Sequence, residues 1–97
     1  MPKGYWVTTY RSISDQKKLQ AYAQLAPPAV QPFGGRYLAR GSAAFAYEAG
    51  LKDRIVISEF PSVEKAREAY ESAGYQEALK ALGDGAERDV RIVAGME

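Results

Sequence analysis

The segment RIVISEF, Arg54 to Phe60, sets three apolar β-branched residues, Ile55, Val56 and Ile57, in a row. Successive side chains on a strand point to opposite faces, so this strand carries apolar groups on both and belongs in a sheet covered on both sides. AGLKD before it turns the chain, and Pro61-Ser62 after it ends the extended run. A chain of 97 residues has room for one domain, residues 1–97, and one core. Such a chain can lay its own helices over one face of a sheet; the second face needs another cover.

The remaining segments supply those helices and the partner strands. Tyr5 to Arg11, YWVTTYR, is aromatic and β-branched and reads as a first strand with aromatic residues on both faces. Leu19, Tyr22, Ala23, Ala26 and Val30 then recur at helical spacing behind a cap at Ser14 or Asp15. Pro27-Pro28 is expected to end or kink this helix near Leu25, with a short second turn up to Pro32 and a stop at Gly34-Gly35. Arg36 to Arg40 is the second strand, Gly41-Ser42 a bulge, and AFAYE a return to extended structure. After Phe60, Ser62 caps a helix with Val63, Ala66, Ala69 and Tyr70 on one face. Gly74 interrupts it, a further helical piece runs from Tyr75 to a stop at Gly83, and RDVRIVAG closes as a strand with Val90 and Ile92 on one side and Val93 on the other. The order strand, helix, strand hairpin, helix, strand is the split βαβ pattern of an α+β, ferredoxin-like βαββαβ fold: one antiparallel sheet with the helices on one face. Because the strands are apolar on both sides, the bare face calls for a second copy, sheet to sheet, in a symmetric homodimer.

Composition removes several kinds of chemistry. The chain has no cysteine and no histidine, hence no disulfide, thiolate nucleophile, zinc–thiolate site, histidine-ligated haem or Ser-His-Asp triad. No loop of closely alternating acids offers a carboxylate-bound metal site, so neither metal nor cofactor is expected. A formal charge of +1 gives no bulk attraction for nucleic acid or an anionic membrane surface. The start, MPKGYWVTTYR, turns polar within a strand's length, and no apolar run approaches the roughly 20 residues of a membrane span. The expectation is a cytoplasmic protein.

The candidate site residues are the polar and aromatic groups within these strands. On a regular strand Arg36, Leu38 and Arg40 share one face, opposite Tyr37 and Ala39. Arg40 and Glu59 are expected to meet across the hairpin. They form either a catalytic pair, with Arg40 holding a carboxylate or enolate by its planar fork and Glu59 as general base, or a cross-strand salt bridge. Ser58, beside Glu59, is polar in the same apolar strand, where burial without a partner is costly. Arg36 after Gly34-Gly35 either presents an anion site or merely follows a helix cap. Tyr5, Trp6, Tyr10, Tyr22 and Tyr37 should meet where the first strand, first helix and second strand converge, as an aromatic pocket for a flat ligand or as plain core. DQKK and EKAREAYE are alternating charges on solvated helix faces.

KGYWV, FGGRYLARG and RIVISEFPSVEKAREAYESAGYQEA, in that order and spacing, resemble the bacterial family filed as domain of unknown function 1330 (DUF1330), in the dimeric α/β-barrel superfamily. The resemblance runs over nearly the whole chain. It implies a ferredoxin-like protomer that dimerises through its sheet, and no established activity. Distant relatives on that fold include cofactor-independent monooxygenases, muconolactone isomerase-like enzymes and haem-binding proteins, with sites between sheet and helices; fold alone transfers none of these reactions. Two expectations stand. The first is a homodimer whose clefts bind a small organic acid or aromatic metabolite, with cofactor-free proton transfer or oxygenation as the chemistry open to it. The second is a non-catalytic structural or regulatory dimerisation module.

Overall fold

The structure, a computed structural model, describes residues 2–96. The chain runs β1 (Gly4–Ile13), α1 (Gln16–Val30), a 3₁₀ turn (Gln31–Phe33), β2 (Arg36–Ser42), β3 (Arg54–Phe60), α2 (Val63–Glu71), α3 (Ala73–Leu82) and β4 (Ala86–Ala94). The strands form an antiparallel sheet in the order β2-β3-β1-β4. This is the ferredoxin-like arrangement that the segment order predicts.

Alternation sorts each strand into two unlike sides. In β1, Gly4, Trp6, Thr8 and Tyr10 are buried under the helices, while Tyr5, Val7 and Thr9 are half-buried on the outer face. Their partners follow suit: Ser58 and Ile92 flank Trp6, Val90 flanks Thr8, and Arg88 flanks Tyr10. The core is Trp6, Ala26, Val30, Phe60, Ala66, Ala69, Tyr75 and Ala78. Alanines at four helical positions, Ala26, Ala66, Ala69 and Ala78, let the helices approach the sheet, and the aromatic rings fill the gap. Trp6 stacks on Phe60 with centroids 5.6 Å apart and meets the Tyr75 ring edge-on at 4.9 Å. The outer face carries Val7, Ile55 and Ile57 half-buried, with Leu38 and Val93 exposed.

Several local expectations are corrected. The first helix does not break near Leu25 but runs to Val30 with Pro27 and Pro28 inside it. Proline removes a donor and keeps its acceptor, so Pro27 still accepts the Gln31 N–H, and burial of Ala26 and Val30 on either side of the pair holds the last turn to the core. The helix interruption falls at Ser72, one step before Gly74's predecessor Ala73: its hydroxyl donates to the Ala69 carbonyl and accepts from the Tyr75 N–H, ending one helix and capping the next. AFAYE is loop, because ladder pairing stops at Ser42↔Arg54 and leaves Phe45 and Tyr47 more than three-quarters exposed with no neighbouring strand. The bulge lies at Leu38, where the register jumps between Tyr37↔Ser58 and Ala39↔Ile57, and not at Gly41-Ser42. That one extra residue turns Arg40 to the side opposite Arg36.

Gly34 and Gly35 make the entry to β2 possible. Gly34 has φ +80°, the left-handed cap that glycine favours. A Cβ on Gly35 would stand 2.5 Å from the ring of fully buried Phe60. Among the described residues no helix is long and apolar enough to cross a membrane, and no cluster of acids could hold a metal ion.

Candidate functional site

The sheet's helix-facing side is arranged in three rows. Tyr37, Ser58, Trp6 and Ile92 form one; Arg40, Val56, Thr8 and Val90 the next; Ser42, Arg54, Tyr10 and Arg88 the third. Rows lie two residues apart, about 7 Å along the strands. Over them sits the apolar stripe of α1, Leu19, Tyr22, Ala23, Ala26 and Val30, together with Tyr75 of α3, enclosing a cleft. One end of the floor therefore carries Arg54 and Arg88, the middle is Val56, Thr8 and Val90 with Arg40 at the edge, and the far end is uncharged. The enclosed volume is about 30 Å³, room for about two water molecules. Arg40, exposed on the edge strand, stands at its mouth.

Arg88 organises the cationic end. Its Nη1 donates to the Tyr22 hydroxyl at 3.0 Å and to that of Tyr10 at 3.4 Å, and its Nη2 donates to the Tyr75 hydroxyl at 3.3 Å. The guanidinium also lies over the rings of Tyr22 and Tyr10, 4.8 and 5.5 Å from the centroids. Tyr22 and Tyr75 hydrogen-bond to each other at 2.5 Å. A phenol has one hydrogen to give, so one of the two donates to the other and the acceptor keeps a hydroxyl hydrogen free for a further partner. Burial, the largest influence, pushes the Tyr75 phenol far above its usual range, and burial pushes Tyr37 up to about 12 against the opposing pull of Arg40. Both stay protonated near neutrality, as donors and not as bases.

Two of the cleft-lining residues carry a buried donor that no protein group accepts from. Trp6 Nε1 and Arg54 Nε are buried without a hydrogen-bond partner. The Arg54 guanidinium lies 6.0 Å from the Tyr10 ring, and that of Arg40 5.0 Å from the Tyr37 ring. Three arginines, Arg40, Arg54 and Arg88, thus line one small cleft, and among the described residues no Asp or Glu lines it. Its donors outnumber its acceptors, and its charge is positive.

The expected pair Arg40–Glu59 is not formed. Glu59 lies on the outer face, where Arg36 Nε and Lys3 Nζ donate to Oε1 at 3.0 and 3.3 Å and the Tyr5 hydroxyl donates to Oε2 at 3.3 Å. The Arg36 hydrogen bond, with Lys3 behind it and burial opposing, holds the Glu59 carboxyl below its usual range. Arg36 is therefore tied to the sheet's outer side. Tyr5 leaves the aromatic pocket for the same reason: odd positions of β1 face outward. Trp6, Tyr10, Tyr22, Tyr37, Ser58 and Arg40 do line the cleft. Sequence reasoning missed Arg54, Arg88 and Tyr75. The signal was present in the alternation Arg54-Val56-Ser58-Phe60 and Arg88-Val90-Ile92, which puts each arginine on the same side as the buried apolar residues.

The family described as "Domain of unknown function (DUF1330)" matches residues 3–96. No curated protein matches the chain. Among solved structures, the RPA0582 protein of unknown function from Rhodopseudomonas palustris is similar at 17% identity and a TM-score of 0.76, over 99% of this chain and 84% of that one. A dimeric ferredoxin-like protein of unknown function from Thermobifida fusca YX is similar at 19% identity and a TM-score of 0.65, over 96% and 91%. SnoaB, a cofactor-independent oxygenase from Streptomyces nogalater, shares 11% identity at a TM-score of 0.65, over 100% and 96%. At such identities the likeness is one of fold.

Proposed function

The chain belongs to the DUF1330 family, and from that premise we propose that its sheet–helix cleft binds a small organic acid. The carboxylate is held by Arg54 and Arg88, the apolar body lies against Val56, Ala23 and Ala26, and Arg40 closes the mouth. The observation that carries this reading is the convergence of three guanidinium groups on one cleft with no acid among its described lining residues. Arg88 is compensated by three phenol oxygens, whereas Arg54 keeps a buried N–H with no acceptor. A buried cationic donor is strongly favoured by an anion that takes up its hydrogen. Because the enclosed volume is only about 30 Å³, a ligand enters by turning Arg40 and Tyr37 outward on the edge strand.

The chemistry this cleft supports is stabilisation of negative charge. Glu59 is a structural group on the other face in this reading, so no carboxylate base takes part. Cofactor-free oxygenation, the activity of SnoaB, is the reaction class carried forward, with the arginines holding an anionic oxygen of the substrate. We further propose that the protein acts in the cytoplasm as a homodimer packed through the outer sheet face, supported by Val7, Ile55, Ile57, Leu38 and Val93 there. Light scattering at micromolar concentration should then give twice the 10.6 kDa chain mass.

Calorimetric titration with benzoate tests the binding reading. Saturable binding by the wild type that weakens at least tenfold in Arg54→Gln, at unchanged melting temperature, is the expected result; a bond to charge of that kind is worth roughly 1.5–3 kcal/mol. Absence of binding to benzoate and to aliphatic monocarboxylates would favour the dimerisation module, which has no use for Arg54.

A further inference from the structure

Resting on that reading, we infer that the ligand carries a second, uncharged acceptor oxygen about one aromatic ring away from its acid group, and that Trp6 recognises it. Trp6 lines the cleft and is 4% exposed, and its indole N–H, a donor only, is buried without a protein partner. An acceptor brought there by a ligand removes an unpaired buried donor, which makes the position selective for ligands that carry one. The acceptor is uncharged because the row of Trp6 contains no charged residue of its own: its neighbours Ser58 and Tyr37 bear hydroxyls. Arg40, a row away at the edge, has its guanidinium over the Tyr37 ring.

Tyr75 serves as a ruler for the spacing. Its ring centroid lies 4.9 Å from that of Trp6, and its hydroxyl is 3.3 Å from Arg88 Nη2. The Tyr75 phenol therefore bridges the indole and the cationic end, touching one with its ring and the other with its hydroxyl, and a ligand of about that length lying alongside it reaches both. The ligand class is a monocyclic aromatic acid, or a ring-sized equivalent, with a carbonyl or hydroxyl oxygen opposite the carboxylate.

The test compares para-acetylbenzoate with para-isopropylbenzoate, which replaces the carbonyl oxygen by a methyl group at similar size, and with benzoate. Wild-type protein should bind the acetyl compound roughly fivefold or more tightly than the isopropyl compound, the ratio of one added neutral hydrogen bond. In Trp6→Phe that ratio should fall to near one while both acids still bind. Trp6 is the only tryptophan, so its emission should also shift with the acetyl compound more than with the isopropyl one, a readout that needs no variant if Trp6→Phe does not fold. Equal wild-type affinities for the two acids overturn the inference and leave the acid site standing. Failure of all three acids, benzoate included, overturns the acid site and the inference with it.

Discussion

Removing the Tyr75 hydroxyl tests whether the tyrosine–arginine cluster is a stabilising unit as well as a cleft wall. Tyr75→Phe keeps the ring against Trp6 and deletes two hydrogen bonds, one to Tyr22 at 2.5 Å and one from Arg88 at 3.3 Å. The first is between neutral groups and worth about 1 kcal/mol; the second involves a charge but is long, and adds about 1 kcal/mol more. The residue is 1% exposed, so water does not replace what is lost, and the expected destabilisation is about 2 kcal/mol. In a domain of this size that corresponds to a fall of roughly 8–16 °C in melting temperature. Tyr22→Phe loses the same tyrosine–tyrosine bond and the 3.0 Å bond from Arg88, again about 2 kcal/mol. Because the two variants share one bond, the double variant should cost about 1 kcal/mol less than the sum. Urea denaturation followed by Trp6 fluorescence, at one fixed protomer concentration so that assembly does not enter the comparison, gives all four stabilities. A loss below about 0.5 kcal/mol for Tyr75→Phe, or strict additivity of the pair, would refute the argument, since either means that the hydroxyls are not bonded as described.

Gly35→Ala should cost about 1–3 kcal/mol by overpacking, because its Cβ would meet the Phe60 ring at 2.5 Å and the Val30 carbonyl at 3.0 Å; a melting temperature equal to wild type would contradict that contact. Glu59→Gln should change stability in a pH-dependent way. The folded Glu59 carboxyl is held below its ordinary 4.5 chiefly by Arg36, so its contribution is present above that pH and disappears as the pH falls through the lower folded-state value. Melting curves of wild type and variant should therefore differ at neutral pH and converge as the pH falls and the carboxyl takes up its proton, and a gap that does not change with pH would count against the pairing. Deleting Leu38 should be tolerated, with less than about 1 kcal/mol lost, because Tyr37 and Ala39 already pair with the consecutive residues Ser58 and Ile57. An unfolded deletion variant would show instead that the bulge itself holds β2 in place.

Long-period features were legible in the sequence and short-range exceptions were not. The three apolar residues of β3, the α1 stripe and the caps at Asp15 and Ser62 follow from periodicity and local hydrogen bonding, and each lies where that reasoning puts it. The Pro27-Pro28 pair was misread because propensity counts the lost N–H and not the packing of Ala26 and Val30, which tertiary contact supplies. AFAYE was misread because an alternating aromatic pattern says nothing about whether a neighbouring strand is present. Arg54 and Arg88 were passed over because charged residues at the ends of apolar strands ordinarily face water.

The bulge at Leu38 shows why the site was harder to read than the fold. On an unbroken strand two arginines four apart share a face and a fate, and a search for the acid that neutralises them stops at Glu59. One inserted residue divides them. Arg36 stays outside and is joined to Glu59 together with Lys3 and Tyr5, which satisfies the carboxylate without any group from the cleft. Arg40 turns to the side of the sheet already occupied by Arg54 and Arg88, which adds a third guanidinium to a cleft that no described Asp or Glu lines. The cleft's excess of positive charge thus comes from plain alternation at Arg54 and Arg88 and from one register shift at Arg40, in a chain whose overall formal charge is only +1.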